Sequence, residues 1–260
     1  MSVRLDRLDL SKHVIILTGA TDGIGKDMAR ILAGFNPKRL VLPARNKEKG
    51  NNLLEYIKSS NGHANNVEIW EMDLADLQSV NHLAPFLLTS LLLDTIKKSV
   101  STELPGKIAL TSSEANQFGE IDFDNLNLEK GNYWNPIKAY GNTKLMNVIV
   151  AKELGRLVQD DNITTYSLHP GVIQTNIGHL NYTISNVLFN IFVSILRLKI
   201  SSEQGAMNTL YPIFPLEIKE TGKYYNLGIE HEPNKIAYDQ EIAKKLWDVS
   251  EQILKDHNMI

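Results

Sequence analysis

Cysteine is absent from the 260 residues. That removes disulfides, thiolate metal sites and cysteine nucleophiles, and it accords with a reducing compartment. Concentrated positive charge is absent too: 27 Lys and Arg stand against 30 Asp and Glu, a formal net charge of −3, with no basic run. Such a chain has no field with which to hold nucleic acid. Residues 1–11 alternate charge with leucine and contain no apolar core of a signal segment, so secretion is not expected. Long apolar runs are missing as well. The longest, residues 184–198 (ISNVLFNIFVSILRL), is interrupted by Ser185, Asn186, Asn190 and Ser194. It falls short of the roughly 20 residues that span a bilayer. A buried or substrate-covering helix and a helix lying on a membrane surface both fit it.

What is present is ordinary globular composition, 43% hydrophobic and 22% charged, at a length that suits one α/β domain. Residues 13–18 (HVIILT) form a short β-branched run, the pattern of a buried strand. Helical spacing follows over 24–34, a strand over 39–42, a polar-faced helix over 47–60 closed by Asn61-Gly62, and a strand over 67–72. This β-α-β-α-β order predicts a doubly wound, mostly parallel sheet with helices on both faces. Beyond it the pattern predicts a helix over 77–99 with Pro85 inside, a strand over 107–112, and a long loop rich in Asn and Asp. A helix over 136–158, a strand over 163–168, a helix over 202–211, a short strand over 223–226 and a helix over 239–255 complete the order. No repeat or low-complexity linker divides the chain, so a single domain over 1–260 is expected.

The first strand runs straight into Thr18-Gly19-Ala20-Thr21-Asp22-Gly23-Ile24-Gly25, where a helix begins. A helix N-terminus offers unpaired N–H groups and the positive end of a dipole, and glycines let the backbone approach a diphosphate closely. Gly19, Thr21, Gly23, Ile24 and Gly25 are therefore candidate nucleotide contacts. The second strand ends Pro43-Ala44-Arg45, with no carboxylate to receive a ribose 2′-hydroxyl. Arg45 can instead meet a 2′-phosphate, which favours NADP(H) over NAD(H), although Asp22 brings a negative charge into the turn. Asp73, after the third strand, suits either an adenine amino group or the cap of the next helix.

Tyr140 and Lys144 stand four apart in a predicted helix and so share one face. A free phenol has a pKa near 10, too high for proton transfer at neutral pH, and a nearby ammonium favours its ionised form. A serine at the end of a neighbouring strand, Ser112 or Ser113, could hold a carbonyl oxygen beside that pair. No grouping of metal ligands is expected.

Taken in order, these pieces resemble the short-chain dehydrogenase/reductases, most closely the retinol dehydrogenase-like branch with the WW-domain oxidoreductases. The matching segments are TGATDGIG from Thr18, Ala44-Arg45-Asn46, Asp73-Leu74-Ala75, Asn81-His82-Leu83, Leu110-Thr111-Ser112-Ser113, YGNTKL from Tyr140, SLHPGVIQT from Ser167, SEQGA from Ser202, and Gly222-Lys223-Tyr224. The resemblance implies a Rossmann-type fold and catalysis by Tyr140 as general acid/base, Lys144 as its partner and ribose ligand, Ser113 on the reacting oxygen, and Asn81 on a relay water. It further implies that Leu74, Pro170, Gly171, Val172, Ile173 and Thr175 line the cofactor. It points to a small lipophilic alcohol or carbonyl substrate, such as a retinoid or steroid. It also implies a homodimer and a location in the cytoplasm or at the cytosolic face of an intracellular membrane such as the endoplasmic reticulum.

The pattern departs from the family at one place. Members carry a further strand, with Asn-Asn-Ala-Gly, between the aspartate and the asparagine that match Asp73 and Asn81. Here those two are eight positions apart, and a β-α-β unit needs roughly 30 residues or more. The expected sheet therefore has about six strands rather than seven, in a domain internally shortened between 74 and 81. The last strands must slide inward, or a gap one strand wide must remain in the core. Two functions follow: an NADP-dependent oxidoreductase that tolerates the short centre, or a catalytically impaired nucleotide-binding or interaction protein, as a truncated isoform or a misjoined gene would give.

Overall fold

A computed structural model describes residues 8–73, 81–126, 130, 136–173, 199–214 and 220–260. In chain order its elements are β1 (Val14–Ile16), α1 (Gly23–Gly34), β2 (Arg39–Ala44), α2 (Lys47–Asn61), β3 (Val67–Glu71), α3 (Leu83–Ser99), β4 (Gly106–Thr111), a 3-10 turn (Glu114–Phe118) and α4 (Pro136–Leu157). They continue as β5 (Ile163–His169), β6 (Val172–Ile173), β7 (Lys199–Ile200), α5 (Ser202–Ile213), β8 (Lys223–Asn226), β9 (Ile229–Glu230), a second 3-10 turn (Lys235–Tyr238) and α6 (Gln240–Asp256). The chain divides into two compact units, Met1–Asp73 with Pro170–Phe214, and Leu74–His169 with Pro215–Ile260. Each unit has its own sheet.

In the first unit β1, β2 and β3 form a parallel sheet in that order, with Ile15 opposite Leu40 and Leu40 opposite Val67. β2 lies in the middle, and Leu40 through Ala44 are buried, which is why that strand is apolar at every position. α1 buries Met28, Ala29, Leu32 and Ala33, spaced as one helical face. α2 is bounded as its sequence dictates. The Asn46 side chain accepts from the Lys49 N–H, and Gly62 closes the helix at φ +78°. α5 is held to α1 by Arg30 on Glu203 at 2.7 Å and by the Ser202 hydroxyl donating to Asp27. β6 and β7 make a separate parallel pair.

In the second unit the order is β4-β5-β8-β9, the first three parallel and β9 antiparallel. β5 is buried along its whole length. Over this sheet α4 buries Leu145, Ile149 and Leu154, and α6 contributes Leu246 and Leu254. Asp239 caps α6 by accepting from the Glu241 and Ile242 N–H groups.

Two expectations change. The helix predicted over 77–99 begins at Leu83, and residues 77–80 lie outside the described set. Pro85 sits in its first turn, where a missing N–H removes no helical hydrogen bond. Among the described residues the two main sheets hold seven strands, where about six in one sheet were expected. Among the described residues β1 is hydrogen-bonded only to β2, and β4 only to β5. Each of these strands therefore ends its sheet among the described residues. Val14 is consequently 56% exposed and Ile16 37%. On α3, Leu83, Ala84 and Phe86 are buried and Leu93 and Ile96 pack against Ile108, Leu154 and Ile163, while Leu91 is 57% exposed.

Candidate active site

The second unit brings three of the expected side chains together. β4 ends at Thr111, and the chain then turns into the 3-10 segment. Ser112 is buried and donates its hydroxyl to the Lys144 carbonyl at 2.8 Å, which fastens the strand end to α4. Ser112 is therefore structural. Ser113 caps the 3-10 turn, accepting from the Ala115 N–H at 3.3 Å, and its side chain is hydrogen-bonded to the Tyr140 phenol. Lys144 is 8% exposed. Its ammonium donates to the Thr111 carbonyl at 3.2 Å and lies 5.3 Å from the centre of the Tyr140 ring.

Close backbone approach makes this cluster possible. A Cβ on Gly141 would lie 2.8 Å from the Ala115 carbonyl oxygen, and one on Gly119 would lie 2.7 Å from that of Gly141. The start of α4 can therefore press against the segment after β4 only with glycine at both positions. Asn142 adds a tie, accepting from the Glu120 N–H at 2.9 Å.

Electrostatics modify the sequence expectation. Burial raises the Tyr140 phenol above its ordinary value, with the Ser113 hydrogen bond acting in the opposite sense. A lowering by Lys144 was expected. That ammonium instead spends a hydrogen bond on the Thr111 carbonyl, and desolvation of the ring dominates. The ring keeps 43% of its surface exposed, so the shift is a partial one. Burial pushes Lys144 down to about 8.

Asn81 is exposed in the turn before α3, and no hydrogen bond joins it to Ser113, Tyr140 or Lys144. Its neighbour His82 is buried, with Nε2 2.8 Å from the Ser250 hydroxyl, and burial pushes it down to about 4. Asn147 was not singled out from sequence, yet its amide donates at 3.0 Å to the same Thr111 carbonyl that receives Lys144. The signal was available, because Asn147 lies one turn beyond Lys144 on the same helix face.

The glycine turn belongs to the first unit. Gly19 has φ +67° and Gly23 φ +52°. A Cβ on Gly19 would meet nothing within 4 Å, so open space lies over the turn, whereas one on Gly25 would lie 2.1 Å from the Gly19 carbonyl oxygen. Asp22 caps α1 through the Gly23 N–H at 2.8 Å. The N–H groups of Ile24 and Gly25 have no backbone acceptor among the described residues. Free N–H groups at a helix start, under open space and beside glycine, fit a diphosphate. Thr21 lines the turn half-buried, and Arg45 is exposed past the end of β2 without an ion pair among the described residues. Asp73 is exposed. Pro170 is buried, its carbonyl accepting from Asn208 at 3.0 Å. Gly171 follows at φ +108°, and Val172 is 38% exposed in β6. Ile173 is described by its strand pairing alone. Leu74, Thr175 and most of the apolar stretch 177–200 lie outside the described residues.

Residues 13–91 match the family model described as short chain dehydrogenase. Retinol dehydrogenase 11 of Homo sapiens is 30% identical over 95% of this chain and 87% of its own length. Retinol dehydrogenase 14 of Homo sapiens is 38% identical over 66% of this chain, and that match spans about half the length of the relative, 50%. The alignment with the former runs to 292 positions, more than the 260 residues present here, so the relative holds positions without a counterpart in this chain. Among solved structures, an NADPH-bound carbonyl reductase from chicken fatty liver superposes with a TM-score of 0.62 at 15% identity, covering 87% of this chain and 100% of the other.

Proposed function

We propose, since the chain belongs to the short-chain dehydrogenase/reductase family of oxidoreductases and to its retinol dehydrogenase-like branch, that it transfers a hydride between NADP(H) and a lipophilic alcohol or carbonyl compound. The observation that carries this reading is the grouping of Ser113, Tyr140 and Lys144 at the end of β4 and the start of α4. A bound nicotinamide supplies or accepts the hydride. Ser113 donates a hydrogen bond to the substrate oxygen and holds it beside the phenol. Tyr140 gives that oxygen its proton in reduction and takes it back in oxidation. Because the phenol is raised above its ordinary value, it is protonated at neutral pH and stands ready as the acid of carbonyl reduction. Lys144 keeps a positive charge beside the ring and would hold the nicotinamide ribose.

NADP(H) is favoured by Arg45, an exposed guanidinium past β2 where a carboxylate would select NAD(H). The chicken carbonyl reductase of like fold was solved with NADPH. A lipophilic substrate is favoured by the relatives called retinol dehydrogenases and by the apolar composition of residues 177–200. No described helix is long and apolar enough to cross a membrane. A cytoplasmic site of action, or one at the cytosolic face of a membrane, is compatible with that.

Tyr140→Phe tests the reading. Turnover of a lipophilic carbonyl with NADPH should fall by about a thousandfold while NADPH binding is retained. Retained turnover in that variant removes Tyr140 from the chemistry. A second reading, a nucleotide-binding protein without turnover, is favoured by the sheet edges left open at β1 and β4. It predicts NADPH binding by the wild-type chain with no carbonyl reduced.

A further inference from the structure

The peptide between Thr111 and Ser112 closes β4 with its two polar groups facing opposite ways. The Ser112 N–H donates to the Leu168 carbonyl of β5 at 2.7 Å. In a trans peptide the carbonyl points the other way, so the Thr111 oxygen faces the side of β4 that has no neighbouring strand among the described residues. A carbonyl outside the ladder takes other donors, and its two lone pairs can take two. Two side chains of α4 supply them. The Asn147 amide donates at 3.0 Å and the Lys144 ammonium at 3.2 Å.

The helix sets the order of the groups. Tyr140, Lys144 and Asn147 follow one another by a turn along one face of α4. Lys144 stands in the middle, its ammonium 5.3 Å from the centre of the Tyr140 ring. Asn147 lies a turn further on, so its amide takes the part of the oxygen away from the phenol. Asn147 is 3% exposed. Its side chain also meets His82, which is held from α6 with Nε2 2.8 Å from the Ser250 hydroxyl. Asn147 is thereby a fixed donor, whereas the lysine stem is flexible.

Two donors on one oxygen turn positive ends toward each other, and each weakens the bond of the other. The ammonium has no second hydrogen-bond acceptor among the described residues. Tyr140 on its own helix and His169 at the end of β5 are the ionisable groups that face it. Burial raises the phenol and lowers the imidazole, so neither is charged at neutral pH.

We propose that Asn147 is a positioning residue: by sharing the Thr111 carbonyl it confines the Lys144 ammonium to the side of Tyr140 and leaves it loosely held, free to turn to the nicotinamide ribose. The assignment rests on the oxidoreductase reading above. Asn147 acts through Lys144 and touches neither substrate nor cofactor.

NMR of the full chain labelled with carbon-13 at the lysine Cε follows Lys144 without any reaction, its signal identified by its loss in Lys144→Arg. Asn147→Leu, similar in size but without a donor, should move the Lys144 titration to higher pH, because the competing dipole is gone. Asn147→Asp, which keeps the shape and adds a carboxylate, should move it further in the same direction. An unmoved titration in either variant, with circular dichroism unchanged, overturns the shared carbonyl. In steady-state kinetics Asn147→Leu should carry the alkaline decline of kcat/KM to higher pH and weaken NADPH about three- to tenfold, since the ammonium is now held more firmly by Thr111. A lower rate with that decline unmoved reduces Asn147 to a packing role and overturns the proposal. A shifted Lys144 titration in a chain whose wild type reduces no carbonyl upholds the shared carbonyl and overturns the oxidoreductase reading.

Discussion

At the scale of single residues, the proton chemistry rests on groups whose pKa values move in opposite directions. The Lys144 value of about 8 is depressed from the usual lysine range by burial, so its positive charge is complete at pH 6 and is lost as pH rises through about 8. The Tyr140 phenol, displaced upward, stays protonated across that window. Carbonyl reduction should therefore decline as pH rises through about 8. Lys144→Arg, which keeps its charge, should carry that decline to higher pH in a kcat/KM profile. A limb that does not move separates the decline from Lys144. Arg45→Ala should weaken NADPH about tenfold and leave NADH nearly unaffected, as fluorescence titration would show. Much of this scale was legible in the sequence, since Tyr140, Lys144 and Ser113 carry their chemistry in their spacing and in family likeness. The choice between Ser112 and Ser113 was not, because it depends on which way successive side chains turn at the end of β4. The upward displacement of the phenol was hidden for a related reason. Spacing reveals that an ammonium is near but not that a carbonyl occupies it.

At the scale of elements, glycine and histidine do structural work that pattern alone understates. Gly25 has no room for a Cβ, which would lie 2.1 Å from a backbone oxygen that cannot swing away. Gly25→Ala should displace the turn before α1, abolish nucleotide binding and lower stability by about 1–3 kcal/mol in urea denaturation. His82 fastens the start of α3 to α6 through Ser250, and it is held neutral at a pKa of about 4 against 6.5 when unfolded. In that interval the unfolded chain binds more protons, so the stabilisation is whole above pH 6.5 and is lost as pH falls toward 4. The loss should amount to roughly 3 kcal/mol. His82→Asn should flatten the acid side of a stability-versus-pH curve, and an unchanged slope would assign it to His13 or His169, which burial also depresses. The order of the longer helices and strands was legible because periodicity and capping residues mark it, as Asn46 and Gly62 do for α2, whereas the two-residue strands β6, β7 and β9 are too short to show a period. The start of α3 at Leu83 was not, since Leu77, Val80, Leu83 and Leu87 keep one helical spacing and no capping residue marks a boundary among them.

At the scale of the whole chain, the shortened centre is the dominant fact. Seven residues lie between Asp73 and Asn81, too few for the further strand expected there from the family resemblance. The sequence left open how the sheet responds, because closure depends on tertiary packing of α3 rather than on any local preference. Among the described residues β1 and β4 each pair with one neighbour only, and Val14 and Ile16 keep the apolar character of a central strand while standing exposed. Unpaired apolar strands of this kind promote association, so the purified chain should self-associate more in the absence of nucleotide than in its presence, as light scattering would report.

Titration of the purified chain with NADPH, read by cofactor fluorescence together with the melting temperature, is the most direct measurement. Saturable enhancement with a blue shift and a higher melting temperature, both preserved in Tyr140→Phe and absent in Gly25→Ala, is the predicted result. NADPH fluorescence and melting temperature that stay unchanged by mixing would contradict a dinucleotide-dependent oxidoreductase in this chain.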